Sequence, residues 1–324
     1  MKETFDPGKR IVRTAVNWDS ENLALISYLT SRFTYRDEAS WRQLITDGII
    51  TVNGQKASPE TLLARHDMVE YHADELPEPP AELHYQILYE DSDLLIVDKP
   101  GNLCVHPAGP FFKHTLWYLM VRDFGKDLHF INRLDRETSG VMTVARNKET
   151  AALAANTVMH KTYAAAVYGD FPARLDGKGF LYTSPTGIIR KKRTFATVPC
   201  PGIKCESVDT GFELISGNGE FSLVKARLGT GRMHQIRATL FSSGFPVVGD
   251  KLYGKDESFY IKQKHETLTD ADRKILVLNR QALHSSDISF CHPVSGREII
   301  ASSPIPPEFL PDNLSKLAKK DTGA

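Results

Sequence analysis

The alternation of apolar and polar positions divides the chain before any single residue needs weighing. In ENLALISYLTSRF, Leu23, Ile26, Tyr28 and Leu29 recur near helical spacing, and DEASWRQLITDG predicts a second helix that stops at Gly48. IITVNGQKA then switches to strand-like alternation and turns back at Asn53-Gly54, a dipeptide suited to two-residue hairpins because both positions take positive φ. These elements predict a small α/β module over residues 21–75, preceded by an N-terminal extension, 1–20. LPEPPAEL, residues 76–83, carries three prolines and predicts a stiff linker.

Beyond the linker the pattern changes. YQILYEDSDLLIVDKPG offers two short apolar strands around an acidic turn, HTLWYLMVRDFG a helix, and VMTVARN a buried strand. Asn147 stands where it can cap the alanine-rich helix KETAALAANTVMH, and KTYAAAVYG returns as a strand closed by Gly169. Strand-like runs follow at 205–216 and 220–230, then a helix from His234 to Ser243 and a late strand, QALHSSDISF. The polar stretch 255–275 reads as a surface insertion. Strands outnumber helices without alternating regularly with them, so the expected fold class is α+β rather than a doubly wound sheet. The expected layout is one large domain over 84–312 and a C-terminal tail, 313–324.

Composition changes this picture little. Apolar residues make up 41% and charged residues 25%, ordinary for a soluble globular protein. No apolar run approaches the roughly 20 residues of a membrane span. The opening MKETFDPGKR lacks the apolar core of a signal peptide, so the expected location is cytoplasmic. Cys104, Cys200, Cys205 and Cys291 show neither CxxC spacing nor framework density, and reduced thiols are expected. Lysine plus arginine equals aspartate plus glutamate, 40 against 40, so any affinity for nucleic acid must rest on local charge. The longest acid-free basic stretch, TGIIRKKRTFATVPCPGIK at 186–204, contains Arg190, Lys191, Lys192 and Arg193. It reads either as a soluble edge or as a flap that contacts phosphates.

Several standard chemistries lack their pattern. No GxGxxG follows a strand and no P-loop motif occurs, so a nucleotide cofactor has no cradle. Metal-type histidine spacing on a helix is missing, and Ser139 in TSGVM sits on no nucleophile elbow. Carboxylate chemistry remains. INRLDRETSG packs Arg133, Asp135, Arg136 and Glu137 between apolar neighbours, where charges are costly unless paired or used. A nearby guanidinium favours ionised Asp135, and an ionised, positioned carboxylate can act as nucleophile or base without a metal. A structural Arg–Asp clamp fits the same segment, which alone does not separate the two readings.

Four motifs in order do separate them. NRLDRETSG at 132–140, KTYAAAVYG at 161–169, GRMHQIRATL with GFPVVGDKLYG at 231–254, and RQALHSSDISFCHP at 280–293 resemble the RluA/RluD-type pseudouridine synthases in order and spacing. The upstream LLIVDKPGNLCVHP agrees, and the likeness covers residues 85–310. Residues 22–73, with WRQLITDGIITVNG, resemble the S-four-like RNA-binding module often found ahead of this catalytic domain. The resemblance implies a central mixed, mostly antiparallel β-sheet flanked by helices and loops. It also implies RNA as partner; no membrane, DNA, cofactor or metal is expected, and a monomer is the simpler expectation. The implied reaction detaches the uracil of a uridine in RNA, turns it, and rejoins it to the ribose through carbon 5.

Residue by residue, Asp135 matches the family's essential aspartate, which attacks the ribose or the base, or abstracts a ribose proton. Tyr163 matches the tyrosine that stacks on the uracil and is a candidate for taking the carbon 5 proton. Arg237 matches the arginine that pairs with the aspartate, Leu283 an apolar residue packed on the base, and Arg133 the residue that replaces the extruded nucleotide. Arg232, His234 and Gln235 of the same motif are implied substrate contacts. A base inside a helix must be flipped out for this chemistry, costing a few kcal/mol, and a guanidinium can fill the gap it leaves.

The sequence departs from the family at Asn132, where histidine is usual, and at Met233, where a small polar residue is common. The amino-terminal module is acidic, with five lysines or arginines against nine aspartates or glutamates across 20–75, so an RNA face there would rest on Arg32, Arg36 and Arg42. The expected target is ribosomal RNA or transfer RNA. The competing class is a non-catalytic RNA-binding or ribosome-assembly factor on the same fold. A carboxylate glycosidase would want a second positioned acid, and no such pair stands out.

Overall fold

A computed structural model describes residues 8, 10–33, 35–72, 76–185, 187 and 189–320. The start of the expected extension, the last residues of the expected module and of the tail, and Thr186 and Ile188 of the basic stretch lie outside these. The chain forms two compact units. One comprises the described residues up to Ala81 together with His106–Lys126, the other Glu82–Val105 and the described residues from Asp127 onward.

In the first unit, β1 (Ile11–Ala15), β2 (Ile50–Val52), β3 (Gln55–Lys56) and β4 (Met68–His72) form an antiparallel sheet in the order β1-β4-β2-β3. With it go α1 (Leu25–Arg32), α2 (Glu38–Thr46) and α3 (Leu116–Phe124). The side chain of Asp37 caps α2, accepting the Ser40 N–H at 2.8 Å. Trp41, Leu25, Leu29, Ile45 and Ile50 are buried at its core, and Asn53 and Gly54 both take positive φ in the hairpin. The expected extension is corrected here: Ile11 pairs with His72 and Ala15 with Met68, so its second half is a sheet strand. A single run of five residues without a turn signal beside it left no pattern to read. The proline linker is anchored within this unit, because the Glu78 carboxylate accepts the N–H groups of Phe112, Lys113 and His114 at 2.8, 2.7 and 2.8 Å.

The second unit is built on one large sheet. Its strands are β5 (Gln86–Glu90), β6 (Leu94–Lys99), β7 (His129–Phe130), β8 (Ser139–Ala145), β9 (His160–Tyr168) and β10 (Arg174–Asp176). A small separate sheet follows in sequence, β11 (Gly179–Thr183), β12 (Arg193–Ala196) and β13 (Glu206–Val208). The large sheet then resumes with β14 (Thr210–Gly217), β15 (Phe221–Leu228), β16 (Leu283–Cys291) and β17 (Glu298–Ser302). Its order is β10-β14-β15-β9-β16-β8-β6-β5, with β7 added on β8 and β17 on β16. All of its described pairings are antiparallel except β8 with β16, the mixed, mostly antiparallel α+β arrangement expected. Strands covered on both faces need continuous apolar runs, and Leu94–Val97 of β6 and Ala164–Val167 of β9 supply them.

The helices of this unit are α4 (Lys148–Ala154), α5 (Gln235–Ser242), α6 (Ser258–Lys264), α7 (Asp270–Leu276) and α8 (Pro311–Lys320). Asn147 caps α4 by accepting the Thr150 N–H at 2.7 Å. Ile236 and Leu240 of α5 pack with Phe212 and Val224 of the sheet. The expected tail is a second correction, since Leu314 of α8 is buried in this same core. Among the described residues no helix is long and apolar enough to cross a membrane.

Two glycines set the frame of the site. Gly140 has φ +109°, and a Cβ there would stand 2.1 Å from the Ser285 carbonyl oxygen, so β8 and β16 meet backbone to backbone just after the RLDRETS loop. Gly249 has φ +73°, and a Cβ there would stand 2.1 Å from the Arg280 carbonyl oxygen. Replacing Gly140 by Ala forces the two strands apart at the loop's exit and is expected to cost about 1–3 kcal/mol. Urea denaturation of G140A against the wild type measures it; an unchanged midpoint would contradict this account of the strand junction.

Candidate active site

Asp135 lies in the loop between β7 and β8 of the second unit, its side chain one-third exposed. One oxygen, Oδ2, is held: Arg237 Nη1 donates to it at 2.7 Å and Gln281 Nε2 at 3.5 Å. The other, Oδ1, lies 3.8 Å from His234 Nε2. The arginine is itself fixed from behind. Its Nε and Nη2 donate to Asp250 Oδ2 and Oδ1 at 2.6 and 2.8 Å, a bidentate pair on a side chain with no exposure. Asp250 Oδ1 also accepts the N–H groups of Leu252 and Tyr253, both at 2.9 Å. The Tyr253 ring stacks on the same guanidinium, 5.0 Å from Cζ to the ring centre.

Burial alone would raise the Asp135 carboxyl, but the charge of Arg237, the nearby His234 and the hydrogen bonds from Arg237 and Gln281 outweigh it and hold it below the ordinary range. Asp250 is likewise penalised by burial yet held low by Arg237 and its two backbone donors. Burial works against the charge of Arg237 too, and the two carboxylates more than offset it. The site is thus a carboxylate kept ionised, gripped on one oxygen and open on the other.

A second buried pair crosses the first. Lys251 Nζ donates to both oxygens of Glu137 at 3.0 Å, and Glu137 also accepts from Gln263 Nε2 at 2.9 Å and the Gln281 N–H at 3.0 Å. Gln281, fixed in this way and donating to Thr138 Oγ1 at 2.5 Å, is the link from Glu137 to Asp135. Lys99 at the end of β6 is fully buried, donating to the carbonyls of Pro100, Leu103 and Arg136 at 2.7, 2.9 and 3.1 Å. Burial pushes its ammonium down to about 7, against the pull of Cys104 and Asp135.

Tyr163 of β9 and Leu283 of β16 are both buried, Tyr163 paired in register with Ser285 and Leu283 with Ala165. Burial lifts the Tyr163 phenol to about 12, with Ser285 lowering it and Asp135 raising it. Arg133 and Arg232 are exposed. Asn132 does not face outward: its Oδ1 accepts the Thr143 N–H at 2.9 Å and pins the loop's start to β8.

Three expectations are revised by the geometry. Gln235 has no spare amide atom for a substrate. Its Oε1 accepts from Thr230 Oγ1 and the Arg232 N–H, both at 2.9 Å, and its Nε2 donates to the Asp209 carbonyl at 3.0 Å and Thr210 Oγ1 at 2.8 Å. It is a clamp on the loop before α5. In the basic stretch, Arg193 turns inward to Glu206 and the Leu181 carbonyl, and Lys192 pairs with Glu257 at 2.6 Å while lying over the Phe241 ring. Arg190 and Lys191 remain exposed, Lys191 over the Tyr260 ring. In the other unit Arg42 is matched by Glu38 at 2.9 Å and Glu60 at 2.7 Å, Arg36 lies over Trp41, and Arg32 is exposed beside Tyr28 and Phe33.

Sequence reasoning passed over Asp250, Tyr253, Gln281 and the part played by Glu137. A signal was present: Asp250 and Lys251 stand between Val247-Val248 and Leu252, the same charge-in-apolar pattern that drew attention to Asp135. Another acidic group is set aside by its hydrogen bonds. Asp91, Asp93 and His292 lie close together, but His292 Nδ1 accepts the Val294 and Ser295 N–H groups at 3.2 and 3.0 Å. The ring proton therefore sits on Nε2, 3.0 Å from Asp91, where a metal ion would need a lone pair.

The depressed carboxyls carry a pH dependence. A carboxyl whose folded value lies below its unfolded one stabilises the fold above the unfolded value and loses that stabilisation as pH falls. For Asp250 and Glu137 the reference values are 3.8 and 4.5, so acid unfolding sets in as pH drops below them. Asp250→Asn leaves the Arg237 charge short of its buried partner and is expected to cost about 3–5 kcal/mol at neutral pH. It should also flatten the acid limb of the stability curve. Denaturant melts of both proteins between neutral and acid pH check the sign and the size.

The family model for RNA pseudouridylate synthases matches residues 93–242. An uncharacterized RNA pseudouridine synthase of Bacillus subtilis (strain 168), YlyB, is 30% identical, covering 88% of this chain and 93% of its own. Ribosomal large subunit pseudouridine synthase D of Xanthomonas campestris pv. campestris is 31% identical, covering 88% and 86%. Among solved structures, human RNA Pseudouridylate Synthase Domain Containing 1 shares the fold, with a TM-score of 0.56 at 22% identity over 72% of this chain and 89% of that one. The chain belongs to the RluA/RluD-type family and is an RNA pseudouridine synthase, an isomerase that converts uridine in RNA to pseudouridine.

Proposed function

We propose that Asp135 is the catalytic aspartate of this isomerase and that its substrate is a uridine flipped out of ribosomal RNA. The observation that carries the reading is the state of Asp135: ionised by Arg237, held on Oδ2 and open on Oδ1. The reaction conserves every atom. The bond from ribose carbon 1′ to N1 breaks with its electron pair going to the uracil, carbon 5 gives up its proton as it bonds to carbon 1′, and N1 ends protonated.

Arg237 orients the carboxylate, Tyr163 offers its ring face to the uracil, and Leu283 floors the pocket without competing hydrogen bonds. A phenol lifted to about 12 stays protonated at neutral pH, which suits stacking and donation before it suits proton removal. Arg133, exposed at the head of the loop, is our candidate for filling the gap in the RNA helix. Arg190 and Lys191 are the candidates for backbone phosphates, joined in the other unit by Arg32 and Arg36 if that unit serves as the S-four-like RNA-binding module. Ribosomal RNA is favoured because the relative named for the large ribosomal subunit matches over most of both chains. The four cysteines are free thiols, which fits a monomer working in the cytoplasm.

Asp135→Asn should leave the fold and RNA affinity near wild type and abolish product. Chemical mapping of pseudouridine in ribosomal and transfer RNA, from cells lacking the gene and restored with wild type or D135N, reads this directly. Ribosomal sites that return only with wild type support the reading; turnover by D135N, or sites confined to transfer RNA, would overturn its aspartate or its substrate. For the flap, replacing Arg190 and Lys191 together by Ala should weaken binding and reduce the slope of log affinity against log salt by about 1.5. An unchanged slope in filter-binding titrations would mean that these cations are only solvated.

A further inference from the structure

We infer that His234 is a further catalytic residue of this site, donating a hydrogen bond from Nε2 to the uracil as it takes up negative charge, in a tautomer locked by Tyr253. The inference rests on the reading of Asp135 given above and adds a second group to it.

The tautomer follows from counting donors. The Tyr253 hydroxyl is buried and accepts the Arg193 backbone N–H at 2.6 Å. Its own proton needs an acceptor, and the one described polar atom that remains within reach is His234 Nδ1, at 3.1 Å. Nδ1 therefore receives a proton rather than carrying one, and the ring proton belongs to Nε2. The ring is also fixed in attitude, edge-on to Tyr253 with centres 5.5 Å apart and planes at 82°. Burial, then the charge of Arg237, holds the imidazole down at about 4, so the ring is neutral at physiological pH and donates without titrating.

The position follows from Asp135. Nε2 stands 3.8 Å from Oδ1, the oxygen that Arg237 and Gln281 leave open. That is too long for a hydrogen bond between them, so the donor is unspent on the carboxylate. Whether Asp135 attacks carbon 1′, attacks the base, or removes a ribose proton, the electron pair ends on the uracil ring and its oxygens. A fixed N–H beside the reacting carboxylate stabilises that charge with no reorganisation at the moment of reaction. The backbone supports a functional placement as well. His234 takes φ 58° and ψ 17° immediately before α5 and its side chain makes no capping bond there, a left-handed conformation that a non-glycine residue adopts at a cost.

The test has two arms, each read beside Asp135→Asn. With nitrogen-15-labelled histidine, the wild-type protein without RNA should show His234 Nε2 protonated and Nδ1 bare, and Tyr253→Phe should relax this to a tautomer mixture. In single-turnover assays on ribosomal RNA from cells lacking the gene, His234→Ala should slow product formation about 100-fold with little change in KM. His234→Gln, whose amide N–H reaches to a similar place, should stay within about tenfold of wild type. An Nδ1-protonated ring overturns the lock. A His234→Ala rate within about threefold of wild type, or a folded His234→Gln as slow as His234→Ala, overturns the donor while a dead D135N leaves the aspartate standing. Active D135N would instead remove the reading on which both groups depend.

Discussion

One guanidinium shared unequally between two carboxylates is the interaction on which this site depends. Arg237 gives two parallel hydrogen bonds to Asp250 and one to Asp135. The inequality matters. Asp250 has no exposure, and its cost of burial is met by the fork of the arginine and by two backbone N–H groups, so it serves as an anchor with nothing left to offer. Asp135 receives enough from the same arginine to stay ionised, yet retains an oxygen and a third of its surface. Had the fork faced Asp135 instead, both of its oxygens would be occupied and the carboxylate would be a poor reagent.

The fold supplies what that division requires. The RLDRETS loop is held at its start by Asn132 on Thr143 and at its end by the close approach of Gly140 to Ser285. Between those points two consecutive residues, Asp250 and Lys251, clip two alternating acids, Asp250 through Arg237 to Asp135 and Lys251 directly to Glu137. The pairs are not interchangeable. Glu137 spends both oxygens on Lys251, Gln263 and the Gln281 backbone and is closed to substrate, while its hold on Gln281 steadies the second donor to Asp135. The buried carboxylates here are each matched by a nearby cation, which is how so polar a centre sits within a sheet lined by Leu94–Val97 and Ala164–Val167 without unfolding it.

Elements with their own local chemistry were legible in the sequence. Asn53-Gly54 fixed a hairpin, Asn147 a cap, and the alanine-rich KTYAAAVYG a buried strand, because each carries its instruction within a few residues. The aspartate and its arginine were legible because whole motifs carried them. Partners set by long-range packing were not. Nothing near Asp250 says that its fork partner lies thirteen positions back, or that Arg237 also reaches a residue 102 positions away. Gln235 looked like a substrate contact because it lies between His234 and Arg237 in the motif, but each step along a helix turns the side chain by about 100°, and it faces the loop at Thr230 and Asp209 instead. Arg193 misled for a related reason: a run of four basic residues looks uniform, while its last member already belongs to β12 and turns in to Glu206.

The same pairing habit bears on how an electrically neutral chain engages a polyanion. Equal numbers of acids and bases leave no general attraction to RNA, and much of the basic complement is already matched within the protein, as with Arg42, Lys192, Arg193, Arg237 and Lys251. Arg133, Arg190, Lys191 and Arg232 are among the cations that stay exposed, and Arg133 and Arg232 stand on segments that also carry site residues. Attraction to RNA then depends on where the exposed cations lie, each phosphate they meet adding a salt-dependent contribution. On the reading proposed for Asp135, a nucleotide released from its helix meets charges that are fixed in advance. That is the arrangement expected when positioning of the reacting groups, rather than attraction of the whole substrate, limits the reaction.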